Sequence, residues 1–158
     1  MQEKIPVRKV DAGIWLDAVR ELLEEGKEVP LVITGNSMSP FLVHERDTLL
    51  IGKPRLPLKK GDMAFYQREN GQYVMHRIRR VRGSCPGRQY YFIGDAQTVT
   101  EGPVPEDRIF GVITAVRRKG RWIRQGSFWW EFFRVVWIRM VPLRKTAVRI
   151  YGAVIKRR

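Results

Sequence analysis

Ser37 lies in "TGNSMSPFLV" (Thr34–Val43), a stretch of glycine, amide, serines, methionine and proline between two apolar runs. A serine hydroxyl is a weak nucleophile until a base removes its proton and N–H donors receive the oxyanion. Two histidines are available as bases. His44 falls in "VHERD", by composition a solvated turn. His76 falls in "QYVMHRIRRV", where alternation puts Tyr73, Met75, Arg77 and Arg79 on one strand face and Val74, His76 and Ile78 on the other. By spacing alone His76 reads first as a satisfied interior histidine and only second as a base. Cys85 is the single cysteine, in turn-like "SCPG" with no histidine near it in sequence, so it forms no internal disulfide and is a poor reactive thiol. Two isolated histidines and one cysteine supply no ligand cluster, so no metal or cofactor is implied.

A serine and a base far apart in the chain need a folded core to bring them together. The chain of 158 residues suits one domain, or a domain with an appendage. "DAGIWLDAVRELLEEGKE" has Asp11 placed to cap a helix and Ile14, Trp15, Ala18, Val19, Leu22 and Leu23 at helical spacing. Asp17, Glu21, Glu24 and Glu25 take the other face and Gly26 the end. From Pro30 the period shortens. "PLVIT", "DTLLIG", "DMAFYQR", "YVMHRIRRV", "QYYFIGD" and "RIFGVITAV" read as strands, "RRKGRW" as a hairpin turn, and "GKPRLP", "ENGQ", "SCPGR" and "EGPVPED" as the punctuation between them. Asp47 and Asp62 read as turn-forming residues. Strands without intervening helices predict a mainly β, antiparallel fold, a small coiled barrel or coiled sheets.

The formal charge of +14 is uneven: residues 1–116 hold 17 basic and 15 acidic side chains, residues 117–158 hold 13 basic and only Glu131. In "FWWEFFRVVWIRMV" the apolar residues share one broad helical arc, up to Pro142. A second stripe follows through Leu143, Ala147, Val148, Tyr151, Val154 and Ile155. The chain divides into an N-terminal amphipathic helix (1–29), a β domain (30–126) and a basic, aromatic amphipathic tail (127–158). A tail with Trp129, Trp130 and Trp137 among arginines suits an anionic membrane surface, or it docks on the β domain. No nucleic-acid recognition motif accompanies the charge. There is no secretory signal and no membrane-spanning run, so the expected location is cytoplasmic or membrane-peripheral.

"GNSMSP", "PLKKGDMAFYQ", "YVMHRIRRV", "YFIGDAQ" and "VPEDRIFGVI" follow one another in an order that resembles the boxes of type I signal peptidases, and is similar to the LexA/UmuD-type peptidases. The likeness covers roughly residues 30–117 and implies a coiled-sheet serine peptidase fold. It implies Ser37 as nucleophile and His76 as general base, the histidine form resembling the archaeal, endoplasmic-reticulum and sporulation-type enzymes. It implies Asp95 of "GDAQ" first as the acid that orients the imidazole, with Glu101 and then Asp107 as alternatives. The usual Ser-Gly-Ser-Met is here Gly35-Asn36-Ser37-Met38, which departs from the family's oxyanion pattern, and the anchor before the serine is replaced by the amphipathic helix. The expected function is a serine endopeptidase that cleaves a leader- or signal-like peptide. The alternative is an inactive module on the same fold that binds peptide, membrane or nucleic acid, with Ser37 only a turn residue.

Overall fold

A computed structural model describes residues 12–156, so the capping role expected of Asp11 lies outside the described residues. Helix α1 (Ala12–Glu24) lays Leu16, Val19 and Leu23 on the core. The stripe is rotated from the predicted one, with Leu16 inside and Ala18 exposed. Gly26, at φ +77°, closes the helix: its N–H bonds to Leu23 O, and Lys27 N–H to Leu22 O.

Eight antiparallel strands follow: β1 (Val29–Val32), β2 (Thr48–Gly52), β3 (Met63–Gln67), β4 (Tyr73–Arg82), β5 (Gln89–Ile93), β6 (Glu101–Pro105), β7 (Ile109–Arg118) and β8 (Arg121–Arg124). They pair in the order β1-β2-β7-β3-β4-β5-β6, with β8 added to the free end of β7. The pairing does not close into a barrel, and β1 and β6 remain as edges. Strand β6 lies where the sequence suggested a turn. Its glycine and two prolines are tolerated because an edge strand can leave N–H positions unused.

Both sheet faces are covered, which is why β4 is buried without interruption from Met75 to Ile78. One face carries Val19, Leu23, Met38, Phe41, Leu42, Met63 and Met75. The other carries Leu58, Ala64, Tyr66, Ile78, Tyr90 and Phe92. The segment after β8 supplies the rest of the first core. Trp130, Phe133, Trp137 and Ile138 are buried, and Phe133 lies 4.7 Å from the Phe41 ring. The segment from Trp130 to Trp137 therefore shares the core of the strands.

The tail is not one continuous helix. A short α2 (Phe128–Glu131) widens into a π-type stretch (Phe132–Val136), tightens into 3-10 turns through Leu143, and resumes as α3 (Arg144–Lys156). The widened turn shifts the register so that Trp137 and Ile138 both face inward after Trp130 and Phe133. Close approach of this segment requires Gly61, at φ +94°, because a Cβ there would stand 2.4 Å from Arg134 Cγ. No helix among the described residues is long and apolar enough to cross a membrane.

Candidate active site

Ser37 sits in a turn between β1 and β2 that the chain ties shut at its base. Asp47, fully buried, accepts Val43 N–H at 3.0 Å and the Arg46 guanidinium at 2.7 and 2.8 Å, while its own carbonyl receives Ile33 N–H. His44 Nδ1 accepts Gly35 N–H at 3.0 Å, so this histidine supports the turn from its exposed side. Met38, Phe41 and Leu42 anchor the turn in the core, leaving Ser37 half-buried. Asp62 likewise serves a turn, accepting Lys59 N–H at 2.8 Å.

His76 stands on β4 opposite Ala64 of β3. One step beyond the paired Arg77 and Ile93, the β4–β5 register sets it across from Gly94. Gly94 in turn lies under the serine. A Cβ at Gly94 would come within 2.5 Å of Ser37 O, and that carbonyl accepts Ala96 N–H at 2.9 Å. The glycine of "GDAQ" is thus required by the backbone of Ser37, and it is the element shared by the serine turn and the histidine strand.

The imidazole is 2 % exposed. Burial pushes it down to about 4, an effect that Glu101 and Asp95 partly offset and Arg68 reinforces, so it is neutral at neutral pH. Its Nδ1 lies 3.2 Å from the Tyr66 hydroxyl and 3.7 Å from Glu101 Oε2. Tyr66 donates its one proton to Glu101 Oε2. Its oxygen is then free to accept, which assigns the proton of His76 to Nδ1 and leaves a lone pair on Nε2. Burial, together with the Glu101 carboxylate, holds the tyrosine well above its ordinary pKa, so it remains a donor. Burial also raises the Glu101 carboxyl. Hydrogen bonds from Tyr66 and Arg68 and the Arg68 charge outweigh that and keep it below its ordinary value. Arg68 Nε stands 2.6 Å from Oε1, as an ion-pair contact outside hydrogen-bond geometry, and Nη2 stands 3.2 Å from Oε2.

Nε2 of His76 is buried with no partner. Among the described residues the other unpartnered buried side-chain atoms are guanidinium donors, on Arg68 and Arg118. Nε2 is thus not hydrogen-bonded to Ser37 Oγ, and a buried acceptor without a protein partner has the form of a general base whose proton donor is not engaged.

Asp95, the first choice for the orienting acid, is committed elsewhere. Fully buried, its two oxygens take Arg77 Nε at 2.9 Å and Nη2 at 2.8 Å. Arg77 also donates to Gly61 O at 2.9 Å and lies 5.3 Å from the Phe41 ring centroid. The pair points to the sheet face opposite His76, as the alternation on β4 requires. The carboxylate beside the imidazole is Glu101, acting through Tyr66. Asp107 stands exposed in the turn Glu106–Arg108.

Residues of the tail fix the "GDAQ" turn from behind. Trp137 Nε1 donates to Asp95 O at 2.8 Å, and the fully buried Arg144 donates to Gly94 O at 2.8 Å, to Gln97 O at 3.0 Å and to Trp137 O. Sequence reading missed Tyr66, Arg68 and Arg144. A signal for Tyr66 existed: in a β3–β4 hairpin turning at "ENGQ", it is the diagonal neighbour of His76 on one face. No protein-family model matches the chain, and no curated protein matches it either.

Proposed function

We propose that the chain is a serine endopeptidase of the signal-peptidase-like class, with Ser37 as nucleophile, His76 as general base, and Tyr66 and Glu101 as positioning residues. One observation carries the reading: a buried, neutral imidazole held through Nδ1 by a Tyr66–Glu101 relay, with Nε2 unpartnered, on the strand facing the glycine under Ser37. In the proposed reaction Nε2 takes the Ser37 proton as Oγ attacks the substrate carbonyl carbon. The proton passes to the leaving amine, and water, activated by the same nitrogen, hydrolyses the acyl-enzyme. The peptide would lie as an extended strand beside Ser37.

The test is cleavage of candidate leader or signal peptides, followed by mass spectrometry, together with labelling by a fluorophosphonate probe. Wild type is expected to cleave and to be labelled at Ser37. Ser37→Ala and His76→Ala are expected to lose activity by roughly 10³-fold or more. Equal activity in all three proteins rules out the pair.

A peripheral contact with an anionic membrane is part of the proposal, now restricted to the side of the tail that the core leaves free. Phe128 (72 % exposed), Trp129 (48 %), Val135 (41 %) and Val136 (43 %) form an outward apolar row. Removing residues 127–158 is unsuitable as a test because it also removes Trp130, Phe133 and Trp137 from the core. Phe128→Ser/Trp129→Ser/Val136→Ser keeps those side chains. Flotation with phosphatidylglycerol vesicles should fall several-fold in this variant, and unchanged flotation removes the membrane contact.

A further inference from the structure

A groove of about 850 Å³ whose lining runs up to Thr100, the neighbour of Glu101, carries no acidic side chain. Lys59 and Lys60 enter it from the turn before β3, Arg79 and Arg80 from β4, and Arg139 from the tail. None of the five makes an ion pair with a described residue. Arg79 donates to Thr100 Oγ1 at 2.5 Å, Arg80 lies over the Tyr91 ring at 4.4 Å, and Arg139 donates to Val135 O at 3.2 Å. These contacts hold the guanidinium groups in place without neutralising them. Five positive charges gathered in one concavity repel one another and are screened only by solvent and salt.

Three features of the groove select among anions. Its apolar lining comes from the half-buried Val81 and from the buried Leu58 and Ile138, so an occupant brings apolar surface as well as charge. No aromatic ring lines it, so it offers nothing on which a nucleobase could stack. It is recessed, and a flat bilayer surface reaches the rim of a recess rather than its floor. A polypeptide with carboxylates among apolar side chains meets all three conditions.

Its position gives it a use. Thr100 lines the groove on one side. On the other it lines a recess of about 420 Å³ that runs along Ala96–Glu101 to Arg68, next to the acid of the relay. Ala96 is the residue bonded to Ser37 O. Thr100 is thus the residue common to the groove and to the recess that contains Ala96.

We infer that this groove is an exosite for an acidic segment of the peptide substrate, recognised by Lys59, Lys60, Arg79, Arg80 and Arg139. Its role in substrate selection rests on the peptidase reading, whereas binding of an acidic peptide does not.

The experiment follows fluorescein-labelled hexaglutamate by anisotropy at low salt, on full-length wild type and on Ser37→Ala. Lys59→Ala/Lys60→Ala/Arg80→Ala/Arg139→Ala removes four cations that are all exposed, and leaves Arg79, which braces Thr100. Lys119→Ala/Arg121→Ala/Arg124→Ala/Arg149→Ala removes four exposed cations elsewhere, so total charge is matched. Circular dichroism confirms folding of both. The groove variant is expected to bind at least tenfold more weakly, the control within twofold of wild type, and Ser37→Ala like wild type. Equal weakening in the two variants means adhesion to overall charge, and no weakening in the groove variant means a different site; either overturns the exosite. A groove variant that keeps hexaglutamate binding but no longer floats with phosphatidylglycerol vesicles assigns the groove to lipid and overturns it as well. Binding needs no catalysis, so loss of the exosite is seen in the anisotropy assay and loss of the peptidase reading in the cleavage assay, each separately.

Discussion

Asp95→Ala is expected to unfold the protein, whereas Glu101→Ala is expected to leave it folded and inactive. Among the described residues Asp95 is the only carboxylate on Arg77, and both are fully buried. Removing it strands a guanidinium in a low-dielectric interior, at a cost of about 3–5 kcal/mol, a large part of the stability of a domain this size. Urea denaturation reads that loss. Arg77→Met in the same chain should restore most of it, since an apolar side chain replaces the stranded charge. Glu101 is about one-third exposed and its removal frees Arg68 to face solvent, so little stability is lost. Without that carboxylate the partner left to the Tyr66 hydroxyl among the described residues is His76 Nδ1. The imidazole then carries its proton on Nε2, where it cannot act as a base. The loss in kcat should approach the ~10⁴-fold that accompanies a wrong tautomer in a Ser-His-Asp triad, with KM little changed. Nitrogen chemical shifts of His76 should exchange between the two ring positions, a signature that a merely structural role would not produce. Asp95→Ala with wild-type stability but no activity would return the orienting role to Asp95.

The second large effect is one of pH. His76 is depressed to about 4 by burial, against about 6.5 in an unfolded chain. Between those values the unfolded state holds more protons, so stability is complete above about pH 6.5 and is lost as the pH falls toward 4. The loss is about 1.4 kcal/mol per unit at most and about 3 kcal/mol in all. Glu101, held below its ordinary value, loses its contribution lower, as the pH falls through the carboxylate range. The interval from pH 6.5 to 4.5 therefore belongs chiefly to His76. Urea midpoints of wild type should fall across it while those of His76→Gln stay nearly level, and parallel curves would disprove the assignment. The acid limb of the rate profile should likewise lie below the usual histidine range, since the base stays unprotonated there.

Much of the frame was legible because it depends on local pattern. The strands from "PLVIT" to "RIFGVITAV" alternate or run apolar between turn residues, and the sheet contains a strand in each of those runs. Strand β6 was hidden because glycine and proline spell a turn locally, and only an edge position in the finished sheet makes them tolerable. The resemblance singles out Ser37, His76, Asp95 and Glu101 by their order along the chain. Which acid meets the imidazole could not, since that depends on which sheet face each carboxylate takes. Tyr66 needed the hairpin register, and Arg144 looked like one more solvated cation in a basic tail until its carbonyl partners were in view. The tail's helical arc was read as continuous because periodicity alone does not show a π-type turn inserted to seat Trp137 and Ile138.

Arg144 and Trp137 bind main-chain carbonyls of a turn that precedes them by more than forty residues. During synthesis the strands through β7 emerge and can pair while that turn still lacks its fastening. The carbonyls of Asp95 and Gln97 gain their side-chain donors, and that of Gly94 a second donor beside Gln97 N–H, only once Trp137 and Arg144 have been translated. The order of residues along the chain thus acts as a clock, and the floor beneath Ser37 is fastened only after the strands around it have been made.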